Sequence, residues 1–233
     1  MTTKHARPKR GSERGRANDL AGGASRTNRP TRTGVRPYGD ESRELILAAA
    51  QKLFASRGLH ATSMQEIAEA ARLSRATVFN QFGSKHLVLD AITAKSLRAY
   101  RDLLAAALAD ETTPTAEILQ ELFLKMSVGL ERNRALYREV FTEIRKISMG
   151  LDAEGESPGL KREAFGLLVR IFARGQARRE LVRDHPAEVL ATAYDSLLSG
   201  AVTQWLHAAP KSPLGPLLTS LVAVFLKGAV AKP

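Results

Sequence analysis

The chain has 233 residues, 44% of them apolar, and a formal net charge of +11. That length and composition allow one or two domains with a packed core. It contains no cysteine, which excludes a disulfide framework, a cysteine zinc site and a cysteine nucleophile, and suits a reducing cytoplasm.

The positive charge is concentrated at the start. The first 40 residues hold ten Lys or Arg against three acids, a net of +7, and the rest of the chain carries +4. Residues 1–39 are rich in Arg, Gly, Pro, Thr and Ser and have almost no large apolar side chain. Such a segment cannot bury enough surface to offset its ordering, so a disordered basic tail is expected. A basic tail on a near-neutral body suggests a polyanionic partner, or else a solubilising role. The N-terminus lacks the apolar core of a signal peptide. No apolar run reaches the roughly 18 residues that a membrane span needs. A cytoplasmic protein without a membrane partner is expected.

The first helix is predicted over 40–57. Ile46, Ala49, Ala50, Leu53 and Phe54 form its apolar stripe, and Gly58 stands where a C-cap glycine belongs. The next stretch, Thr62 to Leu89, organises the chain. Met64, Ile67, Ala68 and Ala71 fall on one helical face, and Ser63 with Glu66 forms an S-x-x-E capping box. Ser74 is a fresh N-cap candidate for a second short helix, RATVFNQF, with Val78 and Phe82 turned inward. Two short helices joined by a tight turn make a helix-turn-helix, whose second helix enters the DNA major groove. Ser84 then opens a long helix reaching about Ala109, roughly 39 Å at 1.5 Å per residue.

Five more helices follow by the same reasoning. Thr113-Pro114 opens one, with proline at its first position and Ile118, Leu122, Met126 and Leu130 as its stripe. Leu136, Val140, Phe141, Ile144 and Ile147 mark the next. Residues 150–159 read as a loop. Ala164 to Gly175 lie on a further helix, His185-Pro186 starts another through Trp205, and Ser212-Pro213 starts the last. No window alternates apolar and polar for long enough to make a strand. The expected fold is all-α, about nine helices.

Little else suggests chemistry. The five histidines are scattered without metal-ligand spacing, so neither a metal nor a cofactor is expected. Gly150 and Gly155 imitate a phosphate loop, but Glu156 follows where lysine is required. Glu139 and Glu143 sit one turn apart among Arg138, Arg145 and Lys146, the pattern of a solvated face. On the second motif helix, Arg75, Thr77, Asn80 and Gln81 point away from Val78 and Phe82. Arg and Asn pair bidentately with guanine and adenine edges, while Thr and Gln suit phosphate oxygens. Lys85 lies in the first turn of a helix, a poor place for a cation unless an anion binds there.

The spacing of Gly58, Thr62-Ser63, Ile67-Ala68, Ala70-Ala71, Ser74, Thr77-Val78-Phe79, Phe82, Ser84-Lys85 and Leu87 resembles the TetR-type transcriptional regulators over roughly residues 41–95. Family members mostly have Gly at the place of Arg72, Tyr at that of Phe79, and His or Tyr at that of Gln81. Arg72 is therefore expected at positive φ, unless the turn differs. The resemblance implies that Gln65, Arg75, Ala76 and Asn80 face bases, and that Ser63, Thr77, Gln81 and Lys85 hold the phosphate backbone. It divides the chain into the tail (1–39), a helix-turn-helix domain (40–95) and a helical effector-binding and dimerisation domain (96–233).

Effector-cavity candidates in that last part are Phe123, Met126, Tyr137, Phe141, Phe165, Phe172 and Trp205, although an aromatic or Met at helical spacing is usually core. By the same resemblance the last two helices pair with their copies, which points to Leu197, Gly200, Ala201, Leu218, Leu221 and Phe225 as a dimer interface. The expected function is a homodimeric regulator, most simply a repressor. It would bind a palindromic double-stranded operator and be released by a mainly apolar small molecule held beneath Trp205. The alternatives are a sequence-tolerant architectural DNA binder and a helical enzyme with an unrecognised site.

Overall fold

The computed structural model describes residues 39–151, 155–208 and 212–229, and among these residues there are nine α-helices. They are α1 (Gly39–Arg57), α2 (Met64–Ala71), α3 (Arg75–Phe82), α4 (Lys85–Ala109), α5 (Thr115–Arg132), α6 (Arg134–Ser148), α7 (Ser157–Ala177), α8 (Ala187–His207) and α9 (Leu214–Ala229). The basic tail expected over 1–39 lies outside the described residues except for Gly39. No described helix is long and apolar enough to cross a membrane.

Local chemistry sets the first four helices. Gly58 takes φ +80°, and its amide donates to the Phe54 carbonyl, which stops α1. The Glu66 amide donates to Ser63 Oγ at 3.2 Å, and the Ser63 amide donates to Glu66 Oε2 at 2.8 Å. This reciprocal box starts α2. The same Ser63 donation holds the Glu66 carboxyl below its ordinary range. Ser74 accepts from the Thr77 amide at 3.0 Å to start α3, and Ser84 accepts from the Leu87 amide at 3.2 Å to start α4.

Arg72 ends α2 in the left-handed region, at φ 57° and ψ 35°, as the glycine-like position implied. An L side chain there costs about 1 kcal/mol that glycine does not incur. Arg72→Gly should therefore raise stability by about 0.5–1 kcal/mol. The check is a higher urea midpoint at unchanged slope; a lower midpoint would contradict the assignment.

Pro114 sits one place earlier than expected, and Pro186 takes the equivalent place at its own helix. Pro114 and Pro186 are the N-cap residues of α5 and α8, in extended backbone just before each helix. The expected loop 150–159 is also shorter, because Ser157 and Pro158 already belong to the first turn of α7. Proline suits that turn, where its missing N–H would have had no intrahelical partner.

Two large hydrophobic clusters hold the helices together. One packs Ile46, Phe54, Ile67, Val78, Phe82, Val88 and Ile92 of α1–α4 with Leu136 and Val140 of α6. The other joins Leu104, Leu119, Leu122, Leu168, Phe172, Tyr194, Leu198, Leu218 and Val222 from α4, α5, α7, α8 and α9. α4 contributes to both and also packs along α7. The sequence-based division at 95/96 falls inside this unbroken helix. The second cluster has an aromatic centre, where Tyr194 meets Phe123, Phe172 and Phe225 edge-on at 5.2, 5.6 and 5.4 Å between centroids.

Candidate DNA-reading surface and ligand cavity

α3 has a dry side and a wet side. Val78 and Phe82 are buried, while Arg75, Ala76, Phe79 and Asn80 are exposed on the opposite face. The Arg75 guanidinium lies over the Phe79 ring, 5.1 Å from its centroid. Gln65 is exposed on α2, with its amide donating to Glu69 Oε1 at 2.8 Å. The four base-facing candidates are thus all in solvent.

The phosphate-facing candidates behave differently from one another. Ser63 is committed to its capping box, although it remains exposed. Thr77 Oγ1 shares a 2.8 Å hydrogen bond with Ser74 Oγ. Gln81 is half-buried, and its amide donates to the Gly39 carbonyl at 3.4 Å.

Lys85, expected at the phosphate backbone, is engaged within the chain itself. Its Nζ donates to the carbonyls of Leu59, His60 and Thr62 at 3.0, 3.1 and 3.0 Å. An ammonium has three N–H donors, and here all three meet backbone oxygens. The side chain ties the turn between α1 and α2 to the start of α4. The anion that makes a lysine comfortable at this helix start is replaced by three carbonyl dipoles.

The Glu139 expectation is corrected. The side chain is half-buried, and its Oε1 accepts from the Leu59 amide at 3.4 Å, so α6 also contacts this turn.

A cavity of about 370 Å³ opens among α4, α5, α6, α7 and α8. Phe123, Met126, Tyr137 and Phe141, four of the seven candidates, line it. Tyr100, Leu103, Ile144, Lys161, Asp195 and Val202 also line it and were not singled out from the sequence. Its walls are mainly apolar. Its polar members include the pair of Lys161 Nζ and Asp195 Oδ2, 3.6 Å apart, together with the Tyr100 phenol, Lys125, Ser96 and Ser199. Burial, and then the nearby Asp195 carboxylate, push the Tyr100 pKa far up, so its hydroxyl stays protonated.

The remaining three cavity candidates lie elsewhere. Phe172 is fully buried in the aromatic centre. Phe165 packs on the outside of that cluster and does not line the cavity. Trp205 is held at the end of α8, where its Nε1 donates to the Ser212 carbonyl at 2.7 Å and its ring lies 4.4 Å beneath the Arg134 guanidinium. Arg134 and Arg138 of α6 also donate to the Trp205, Ala208 and Leu206 carbonyls, closing the end of α8.

Of the interface candidates, Gly200 is exposed with open space around it, and Leu197, Ala201 and Leu221 are half-buried. Phe225 is half-buried but leans on Phe172 and Tyr194. Leu218 is a correction, because it is fully buried in the chain's own core. Its neighbours Leu217 and Val224 occupy the outer face of α9 instead, at 39% and 66% exposure.

The family model for bacterial regulatory proteins of the tetR family matches residues 46–92, which cover α2, α3 and the adjoining parts of α1 and α4. Similarity continues beyond that segment. The transcriptional repressor BepR of Brucella suis biovar 1 (strain 1330) is 22% identical over 170 residues, covering 72% of this chain and 81% of its own. The transcriptional repressor KstR2 of Mycobacterium tuberculosis (strain H37Rv) is 32% identical over 93 residues, covering 39% of this chain and 44% of its own. The TetR-family repressor FadR of Thermus thermophilus, solved with lauroyl-CoA, is 26% identical and superposes with a TM-score of 0.59. That match covers 82% of this chain and 96% of FadR. Residues 46–92 thus match the tetR-family helix-turn-helix, the nine helices among the described residues follow the frame of the TetR-family repressor FadR, and the chain is a DNA-binding transcriptional regulator.

Proposed function

We propose that this protein is a homodimeric repressor that leaves a palindromic operator when an apolar small molecule fills the cavity. The observation that carries the reading is the placement of α6. Tyr137, Phe141 and Ile144 of this helix line the cavity. Leu136 and Val140 are buried in the cluster that includes α1–α4, and Glu139 holds the turn after α1. A ligand that displaces α6 must therefore disturb the support of the reading helices.

The ligand class follows from the lining. Leu97, Leu103, Phe123, Leu130, Phe141 and Val202 favour an apolar body, and the volume suits a small molecule. The Lys161–Asp195 pair and the Tyr100 hydroxyl offer both signs and a donor to one polar group. The acyl chain of the lauroyl-CoA held by the Thermus thermophilus relative is chemistry of this kind. Release requires the ligand to prefer the DNA-free state; a coupling of 1–3 kcal/mol corresponds to about 5–150-fold. On α8 and α9, Gly200, Leu221, Leu217 and Val224 supply the surface for a second copy.

Gly129 gives the test. It lines the cavity, and a Cβ built on it meets nothing within 4 Å. Gly129→Phe should enter the cavity from a position where its Cβ is unobstructed, and should favour the helix. The variant is expected to bind operator as wild type does and to lose its response to saturated acyl thioesters, which release wild type. Equal release of both proteins in an anisotropy titration would place the effector elsewhere.

A further inference from the structure

We propose that Phe79 is a sequence-reading residue, which meets a thymine C5-methyl group while its ring holds Arg75 for the neighbouring base. The inference rests on the reading that α3 enters a major groove.

Phe79 is 37% exposed, and among the described residues it is the one aromatic side chain counted with the exposed large hydrophobics. It stands between Ala76 and Asn80 on the outward face of α3, four residues after Arg75. Exposing that much apolar surface at the centre of a polar face carries a cost in water. The ring is partly used, because the Arg75 guanidinium lies over it. A cation on an aromatic face is attracted by the ring quadrupole, and this narrows the directions in which Arg75 can point. The guanidinium fork must be aligned to bond guanine O6 and N7 together, so a narrowed fork reads better than a free one.

The exposed remainder of the ring has no polar atom to offer a base or a phosphate. In the major groove the apolar feature at a base edge is the thymine methyl, which distinguishes T·A from every other pair. Phe79 therefore predicts a thymine in each half-site, close to the base read by Arg75.

The test uses the full chain and a duplex selected by it from a random pool. Each thymine of the selected site is replaced by uracil, which removes the methyl and leaves base pairing intact. One symmetry-related position should cost wild type about fourfold in affinity per half-site, the worth of one buried methyl group. Phe79→Ala should bind the thymine and uracil duplexes equally. Phe79→Leu, which keeps an apolar contact but not the ring beneath Arg75, should retain the uracil penalty and lose preference at the Arg75 base. The proposal is overturned if uracil costs wild type and Phe79→Ala alike at every position, if it costs neither, or if the half-site contains no thymine. A pool that yields no palindrome would instead remove the regulator reading, and this one with it.

Discussion

Lys85→Met is expected to loosen the reading head rather than change its salt dependence. Methionine keeps the length and apolar stem of lysine but has no N–H, so the Leu59, His60 and Thr62 carbonyls lose a shared charged donor. Hydrogen bonds to a charged group contribute about 1.5–3 kcal/mol each, and three sharing one nitrogen do not add fully. Two of the three are partly shielded from water. A net loss of about 3 kcal/mol is expected, or roughly 8 °C in Tm for a protein of this size. Lys85→Arg separates the two roles. Arginine binds phosphate at least as well as lysine, but its planar fork does not fit three converging carbonyls. A destabilised Lys85→Arg supports the strut. Full stability in both variants, with uniformly weaker DNA binding, would return Lys85 to the phosphate backbone.

Arg75→Ala should leave the fold unchanged and reduce sequence preference. The side chain is exposed and its contact is with Phe79 on the same helix, so little packing is lost. Losing a bidentate base contact costs about 1–3 kcal/mol, which is roughly a 5- to 150-fold fall in the operator-to-random ratio. Salt dependence should change little, because no phosphate contact is removed. The check is a salt titration of both proteins on operator and scrambled duplexes. An unchanged ratio would mean that Arg75 reads no base.

What the sequence made legible follows the range of each interaction. The helix starts at Ser63, Ser74 and Ser84 depend on bonds to residues three places on, so the motif could be read from spacing alone. The positive φ of Arg72 was legible because the resemblance supplied a glycine there. The Lys85 contacts were not legible because its partners lie 23 to 26 residues earlier, and a helix-start lysine looks the same whether it faces an anion or carbonyls. Glu139 was misread for a similar reason, since the amide it accepts from is 80 residues away. In the cavity, aromatic spacing found Phe123 and Phe141 but not the Lys161–Asp195 pair, which α7 and α8 bring together. Periodicity marked Phe172 and Leu218 as apolar but could not distinguish a cavity wall or an interface from the core.

The central claim is that α3 reads DNA as one of two symmetric copies. Hydroxyl-radical footprinting of the full chain on its selected duplex tests this directly. The account predicts two protected blocks related by a two-fold axis, with their centres one helical turn, about 34 Å, or a multiple of it apart. Arg75→Ala should weaken both blocks together. Even protection along the duplex that does not depend on its sequence would contradict the account.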